Sequence, residues 1–420
     1  MVNQAIEQLL QEAIDQSMAQ TQESRELAEE VAGKMADIDR KVGEALLSSF
    51  KPIYGSTTKT IGVGGDYATL REAIEYYSTT KPISKATGAT TYTGGVILKI
   101  LTGTVLGEQI LLGPGSDLSF IRIDATDPVV YIDHTKILHS FEGRFPIFGA
   151  SRGAKLPVIN TLFEYQPGGD GNKDGILVSG PGTTAYVYAG KGVRNAPGNG
   201  LYALNCAVVH AASADFSNAK NMGVYALYNT TINFSNGVAN DCGIHGVYAH
   251  RGSTVMAERV EANRAGQNGL FASDGSSVFG YAASVNDAGL IGCQAREASF
   301  VNFTLGKANG AGDKGIYAYG GCIIQAHTAE AKDAGNAGVD AYASKINAIG
   351  CVATGAAVSG LRASMGSLVV AHSANFQKGE SPDSSDVALS VGVSLMATGL
   401  FSGGLPFATN TLTSNGIIYQ

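Results

Sequence analysis

The feature that most constrains this chain is a pattern that returns about every 23 residues between residues 200 and 371. A glycine opens each unit; six successive intervals are 23 residues long and the last is 22. The opening glycines are Gly200, Gly223, Gly246, Gly269, Gly292, Gly315, Gly338 and Gly360. Alanine stands three residues after each of them, at Ala203, Ala226, Ala249, Ala272, Ala295, Ala318, Ala341 and Ala363. Units that agree in several columns at once are expected to stack as a solenoid.

Each unit is predicted to contain three short β-strands. The first and third residues after the glycine are mostly apolar and the second is not, which is the alternation of a strand. The alternation returns nine and eleven residues after the glycine, as in Val255 and Ala257, and again in Val260 and Ala262. Three strands in about 23 residues indicate one coil of a parallel β-helix, whose coils stack about 4.8 Å apart. The predicted fold is therefore all-β, with equivalent positions aligned in ladders.

Two further columns are predicted to hold turns. The asparagine column contains Asn240, Asn263, Asn286 and Asn309, and the second glycine column contains Gly243, Gly266, Gly289, Gly312 and Gly335. Because Asn and Gly tolerate left-handed backbone at low cost, both columns are expected to adopt that conformation.

Residues 1–50 differ from the rest of the chain, because they are charged, poor in glycine and proline, and helical in pattern. Apolar and small polar positions recur at three- and four-residue spacing from Leu10 through Val31 to Ala45. This spacing predicts a coiled coil of several heptads, and hence a stalk that self-associates. The alternative is an amphipathic helix that packs on its own chain. Lys51-Pro52 is expected to end the helix, and the first residues do not have the pattern of a signal peptide.

The rest of the chain is predicted to fall into three regions. Residues 51–173 form the head of the β-helix, with irregular coils and a capping helix. Residues 174–379 form the regular β-helix. Residues 380–420 form the last coil and a C-terminal strand, because the apolar pattern resumes there and the chain ends in an apolar run.

The capping helix is expected within residues 64–78, where it would cover the open edge of the first coil. Asp66 is the predicted N-cap. Leu70, Ile74 and Tyr77 are predicted to share the buried face of this helix.

Composition and residue spacing argue against several classes of protein. A formal net charge of −7 disfavours nucleic acid as a partner, and no apolar run is long enough to predict a membrane span. The five cysteines have no C-x-x-C spacing, and Cys293 falls in an inward column. The seven histidines form no metal pattern, so we expect neither a metal nor another cofactor.

A short motif at the start of the head carries a resemblance to a known family. The motif consists of Gly65, Asp66, Tyr67, Thr69, Leu70, Ala73 and Ile74. Together with a helical stalk before it and β-helix coils after it, the motif resembles the tailspike and tail-fibre proteins of tailed bacteriophages. These proteins are built on the right-handed, pectate-lyase-like parallel β-helix.

The resemblance implies a homotrimer in the phage virion, attached to other tail or baseplate proteins through residues 1–50. It also implies binding of host cell-surface polysaccharide, which some family members cleave with Asp or Glu carboxylates on the helix exterior. The chain departs from the cleaving members in two ways, because its coils are uniform in length and it carries no bulky C-terminal domain. Both departures argue against catalysis.

An outward ladder of mainly aromatic residues is the first candidate site. Its members two residues after the glycine are Tyr202, Tyr225, Tyr248, Phe271, Tyr317 and Arg362, with Tyr342 in the adjacent column. Aromatic rings and flanking charges of this kind are typical of sugar-binding surfaces. They are equally typical of subunit interfaces, and we favour the interface at the trimer axis.

Exterior carboxylates are the second candidate site. Asp274 and Glu297 fall in one column, one coil apart, and Asp340 lies on the same side. Glu258 and Glu261 lie within one coil on another side. A glycosidase needs two carboxyl groups about 5–5.5 Å apart for retention or about 6.5–9.5 Å apart for inversion. Solvated surface carboxylates are the simpler interpretation on an acidic protein.

The sequence therefore predicts a trimeric phage tail fibre or short tailspike that supports the tail tip or adheres to the host surface. A polysaccharide depolymerase, either a hydrolase or a lyase, is the alternative. A bacterial surface adhesin is a third interpretation, disfavoured by the first residues of the chain.

Overall fold

The computed structural model describes residues 2–49, 57–79, 95–169, 171–378, 385–390, 393–396, 411–412 and 417–419. The chain divides into two compact units, Met1–Gly55 with Thr79–Gly94, and Ser56–Ser78 with Gly95–Gln420. The predicted helix end at Lys51-Pro52 and most of the sequence between residues 377 and 385 lie outside the described residues.

The first unit contains one long helix, α1 (Val2–Ser49). Apolar residues of the predicted seam, among them Leu10, Ile14, Val31 and Met35, are exposed in the single chain. The helix is confirmed, and its pairing with other copies stays a prediction.

The second unit is a parallel β-solenoid of right-handed type with about 13 coils. Sheet I is its longest sheet, with 13 parallel strands. These strands are Ile110–Leu112, Phe148–Ser151, Ile176–Ser179, Leu201–Leu204, Met222–Leu227, His245–His250, Asn268–Ser273, Ile291–Arg296, Lys314–Tyr319, Ala337–Tyr342, Ser359–Ser364, Ser385–Leu389 and Thr411–Leu412. Equivalent residues of successive coils pair in register, as Tyr225 does with Tyr248 and Tyr248 with Phe271. The predicted 23-residue period is thereby confirmed.

Sheet II runs beside sheet I and contains 11 parallel strands. These are Thr184–Tyr186, Val208–His210, Thr231–Asn233, Thr254–Met256, Ser277–Phe279, Phe300–Asn302, Ile323–Gln325, Lys345–Asn347, Leu368–Val370, Ser394–Met396 and Ile417–Tyr419. The last strand is the predicted C-terminal one, and it pairs in parallel with Ser394–Met396.

Side III, the third side of the coil, has regular strands at its two ends. These are Val129–Ile132, Leu162–Tyr165 and Gly192–Arg194 toward the N-terminal end of the solenoid, and Val352–Ala356 with Asn375–Lys378 near the C-terminus. Between them each coil contributes a single bridged residue, such as Glu261 or Ser284. The prediction of three strands in every coil is therefore wrong for these middle coils, which have two strands each. Left-handed residues on both flanks, such as Arg259 and Arg264, leave too few extended residues for a strand.

The predicted alanine column lines the interior. All eight alanines are at most 1% exposed, and the preceding apolar column is equally buried. Bulky rings are accommodated locally: Phe234 and Phe303 are fully buried, and each is followed three residues later by a glycine. A Cβ atom on Gly237 would lie 2.2 Å from the ring of Phe234. Cys293 is buried as predicted, and burial raises the pKa of its thiol.

The second glycine column is required by close packing of backbones, and not by left-handed conformation as predicted. A Cβ atom on Gly266 would lie 2.1 Å from the carbonyl oxygen of Gly243 in the coil before. The asparagine column is not left-handed either. Each asparagine side chain accepts a hydrogen bond from the next coil, as Oδ1 of Asn240 does from the Asn263 amide at 2.8 Å. The left-handed residue is the one that follows the asparagine, such as Asp241.

A short four-stranded sheet and two short helices complete the head. The strands are Thr57–Ile61, Val96–Ile100, Ile121–Ala125 and Val158–Ile159, and the helices are α2 (Leu70–Ser78) and a 3-10 turn, His134–Lys136. Leu70, Ile74 and Tyr77 are buried, as predicted for the capping helix. The prediction of Asp66 as the N-cap is wrong. Its carboxylate accepts from Lys59 and Thr60, and the hydroxyl of Thr69 accepts from the amide of Glu72.

Candidate functional site

The outer side of sheet I carries the predicted aromatic ladder, and we call this surface the aromatic face. Tyr202, Tyr225, Tyr248 and Phe271 stack with ring centroids 4.9, 5.0 and 4.6 Å apart and planes within 4° of parallel. Parallel pairing sets this spacing, because each ring lies one coil from the next. Each inner ring therefore has both faces covered by its neighbours. Ring edges and phenol hydroxyls are what the ladder presents to a partner.

At the Tyr202 end of the ladder, a guanidinium group that the sequence did not suggest covers the last ring. The Arg144 guanidinium lies 5.9 Å from the centroid of the Tyr202 ring. It donates two hydrogen bonds, of 2.7 and 2.6 Å, to the fully buried carboxylate of Asp174. The amide of Asn199 donates a third, at 2.7 Å. Burial raises the pKa of Asp174, and Arg144 opposes that rise.

Hydrogen bonds connect the ladder to an imidazole and a carboxylate. The phenol oxygen of Tyr225 lies 3.2 Å from Nδ1 of His250, and Nε2 of His250 lies 2.6 Å from Oδ2 of Asp274. In the neutral tautomer whose Nε2–H donates a hydrogen bond to this carboxylate, Nδ1 accepts a hydrogen bond from the Tyr225 hydroxyl. The His250 ring also stacks on Tyr248, whose hydroxyl bonds to Ser273 at 3.0 Å. Burial raises the pKa of Tyr225 above the ordinary value of a tyrosine.

Asp274 and Glu297 form a carboxyl dyad at the edge of the aromatic face. Both residues lie in the left-handed turn that follows a sheet I strand, which brings their side chains into a shared hydrogen bond. The pKa of Glu297 is raised because its protonated carboxyl donates a hydrogen bond to Asp274 and because the negative charge of Asp274 disfavours ionisation of Glu297. The pKa of Asp274 is lowered, first by that bond and then by His250.

The part of the aromatic face that follows Phe271 in sequence combines aromatic rings with cationic side chains. Lys314 Nζ lies 4.6 Å from the centroid of the Tyr317 ring, and the Arg296 guanidinium lies 5.6 Å from that of Tyr319. Tyr319 stacks on Tyr342 at 5.0 Å. Burial raises the pKa of Tyr317 to about 12.

Two residues proposed separately from the sequence form a pair at the lower end. Asp340 is 3% exposed, and the guanidinium of Arg362 donates to its carboxylate. Asp340 is therefore committed to a buried ion pair and is not a free acid for catalysis.

Glu258 and Glu261 do not join the aromatic face. Glu261 is a bridged residue of side III, and Glu258 lies in the turn between sheet II and side III. Both are exposed. The structure therefore separates these two carboxylates from the Asp274–Glu297 dyad.

One histidine inside the aromatic face was not singled out from the sequence. His245 is buried edge-on against Tyr248 and Phe271, with centroids 5.1 and 5.2 Å away. Within the described part of the chain its Nδ1 atom has no hydrogen-bond partner. Burial lowers the pKa of His245 to about 4. The 23-residue period could have placed His245 in sheet I. Its burial was not expected, because histidine is a polar residue.

Among the residues that the structure describes, no group of three His, Cys, Asp or Glu side chains is arranged to hold a metal ion. Neither described helix combines the length and the hydropathy needed to cross a membrane.

Comparison with known proteins gives structural similarities at low sequence identity. No protein-family model and no curated protein sequence matches the chain. The A-module of a mannuronan C-5 epimerase from Azotobacter vinelandii is 14% identical, with a TM-score of 0.32, over 78% of this chain and 91% of that one. A periplasmic alginate epimerase is 11% identical, with a TM-score of 0.40, over 78% of each chain.

Phage proteins are also similar. The gp42 tailspike of an Acinetobacter phage is 12% identical, with a TM-score of 0.33, over 78% of this chain and 58% of the tailspike. At these identities and TM-scores the likeness concerns the general fold, and the strand pairing described above establishes the parallel β-helix.

Proposed function

We propose that the protein is a tail fibre or short tailspike of a phage virion, a homotrimer that binds host-surface polysaccharide along its rod. Residues 1–50 would attach it to other tail or baseplate proteins. The aromatic face carries the proposal, because it places half-buried rings with polar tips on several consecutive coils of a rigid sheet. A linear polymer lying along the rod would meet aromatic rings on several successive coils.

The geometry of the ladder favours hydrogen bonding over ring stacking. The faces of Tyr225 and Tyr248 are covered by neighbouring rings, so a sugar would contact ring edges and hydroxyl groups. Sugar hydroxyls both donate and accept, as do the phenol groups. His250, Arg296 and the carboxyl dyad extend this polar rim.

A hydroxyl-specific variant tests the glycan site. Tyr248→Phe keeps the ring stack and removes one hydrogen-bonding group, which is worth about 1 kcal/mol, or about fivefold in affinity. Binding is measured by adsorption to host cells and to purified capsule or lipopolysaccharide. The matched control is Tyr281→Phe, because Tyr281 is exposed and lies outside sheet I. Equal adsorption of Tyr248→Phe and the unaltered protein would argue that this hydroxyl does not touch the glycan.

Self-association is proposed to begin at α1. Leu10, Met35 and Ile38 are 63, 62 and 59% exposed in the single chain, and such apolar seams are normally buried against other helices. Sedimentation of the full chain at micromolar concentration should give a trimer. Removal of residues 1–50 should weaken association without unfolding the rod, since each coil contacts mainly its neighbours. A full chain that sediments as a monomer contradicts the proposal.

The carboxyl dyad supports a second candidate, a polysaccharide depolymerase. Two carboxyl groups that share a proton hold an acid and a base side by side, and their opposite pKa shifts have this pattern. A reducing-end assay on capsule and lipopolysaccharide samples separates the two functions. Under the depolymerase hypothesis Asp274→Asn and Glu297→Gln abolish release of reducing ends, whereas Glu258→Gln does not. Release that persists in both dyad variants excludes the dyad as the catalytic pair.

A further inference from the structure

The outer side of sheet II carries fewer charged side chains than the outer sides of sheet I and side III. We call it the uncharged face, made of the outward first and third residues of the sheet II strands from Thr184–Tyr186 to Ser394–Met396. Lys345 is the one Asp, Glu, Lys or Arg among these described positions. Overall, 15% of the residues are charged, so about three charged side chains would be expected at the 20 outward positions of these ten strands.

Large apolar side chains are exposed along the uncharged face. Met256, Phe279, Ile323 and Met396 are 36, 37, 40 and 43% exposed. The Phe279 ring lies 5.8 Å from that of Phe300 in the next coil, so the apolar surface continues between coils. Turns on either side carry charges, such as Arg251 and Glu258. An apolar centre with a polar rim is the usual anatomy of a protein interface.

Symmetry identifies which partner fits such a face. In a parallel trimer every residue lies at the same height as its own copies around the threefold axis. A charged column facing the axis would therefore meet like charge, which costs several kcal/mol for closely juxtaposed groups. Side III places Glu261, Lys307 and Glu330 outward, and sheet I carries Arg296 and Lys314.

We propose that the uncharged face of sheet II lies against the same face of the other copies at the threefold axis, with the aromatic face turned outward. The proposal rests on the proposed homotrimer and adds the side by which the rods touch. It replaces the interpretation of the Tyr202–Phe271 ladder as the interface. It also leaves the aromatic face accessible to a polysaccharide.

The size of the uncharged face explains why a stalk is needed as well. Ten strands spaced about 4.8 Å and three residues wide cover about 40 by 10 Å. This is about half of the roughly 800 Å² that each partner buries in a standard interface. Contact through sheet II alone is therefore expected to be weak, and the stalk would raise the local concentration of the rods.

Site-directed cross-linking tests which side faces the axis. The full chain carrying Cys206→Ser, which removes the one exposed cysteine, is combined separately with Met256→Cys, Arg296→Cys or Lys307→Cys. These positions lie on sheet II, sheet I and side III. A short bis-maleimide should join copies through Met256→Cys and leave the other two uncoupled, because only residues near the axis approach their own copies.

Each outcome has a distinct meaning. Cross-links through Arg296→Cys or Lys307→Cys, or none in a protein that sediments as a trimer, overturn the assignment of sheet II and leave the trimer intact. A monomer in sedimentation overturns the trimer and the assignment together.

Phe279→Glu, with Lys307→Glu as control, provides a second measurement. Three identical charges at the axis should raise the concentration at which the trimer dissociates by about tenfold or more. An unchanged value would count against the assignment.

Discussion

Nε of Arg362 donates a hydrogen bond of 3.1 Å to Oδ2 of Asp340, one coil away on the outer side of sheet I. Asp340 is almost fully buried, whereas about a third of the Arg362 side chain is exposed. The positive charge of Arg362 therefore balances the negative charge of a buried carboxylate. Removing Arg362 alone would leave that charge unpaired and would lower the free energy of unfolding.

Arg362→Met should lower the free energy of unfolding by about 2–3 kcal/mol. The lower end of the range for a broken buried pair applies, because water reaches the guanidinium. The double variant Asp340→Asn with Arg362→Met should recover most of the loss, since no charge is left unpaired. Thermal unfolding midpoints of the single and double variants check this. A single variant as stable as the unaltered protein would show that the carboxylate finds another partner.

The interior of the β-helix should accept a phenylalanine in a coil that now has an alanine, provided that a neighbouring side chain is removed. Ala257 occupies the position that Phe234 fills one coil earlier, and Val260 the position of Gly237. Ala257→Phe alone should cost about 1–3 kcal/mol through overpacking. Adding Val260→Gly should recover at least half of that cost, although Val260→Gly alone destabilises by leaving a cavity. Denaturation of all three variants measures the coupling, and strictly additive effects would refute it.

His245 should make the rod less stable in mild acid. Its pKa is lowered to about 4, whereas an unfolded histidine titrates near 6.5, so between these values the unfolded chain binds the additional proton. The stabilisation is therefore fully present above about pH 6.5 and is lost as the pH falls toward 4. The complete loss is worth about 3 kcal/mol. His245→Gln should remove this component from the stability profile measured between pH 7 and 4. His210→Gln, at an exposed position of sheet II, should retain it.

Two glycine-to-alanine changes should act in opposite directions. Gly266→Ala places a Cβ atom 2.1 Å from a backbone carbonyl oxygen that cannot move away, and it should cost about 2 kcal/mol or more. Gly33→Ala lies in α1 with no atom within 4 Å of the new Cβ, and it should stabilise the helix by up to about 1 kcal/mol. Circular dichroism during heating reports both effects. A neutral Gly266→Ala would mean that adjacent coils can separate locally.

The repeat was sufficient to predict the coils, because a fixed period places each residue next to its counterpart 23 positions away. The Tyr225–Tyr248 stack and the buried alanines follow directly from that register. Side III could not be predicted in the same way. Its flanking left-handed turns are occupied by residues such as Arg259, whose type does not mark a turn.

The site was less predictable than the coils, because side-chain pairing is not periodic. Asp340 and Arg362 lie in the same column, yet the sequence alone did not indicate that they bond to each other. Arg144 comes from the irregular head, where no period specifies its neighbour, so its contact with Tyr202 and Asp174 required the structure. The dyad of Asp274 and Glu297 was expected from their shared column, and its direct hydrogen bond was not.

Because successive coils pair in the same register, the length of the β-helix can change only by whole coils. Residues 269–291 form one such unit, since Gly246 and Gly292 stand at equivalent positions on either side of it. Excising this unit would bring Asn263 next to Asn309 and Tyr248 next to Gln294, with every column continuous. The rod would become shorter by about 4.8 Å. If the protein is a tail fibre as proposed, its reach changes in steps of one whole coil, and gain or loss of a single repeat would lengthen or shorten it by one step.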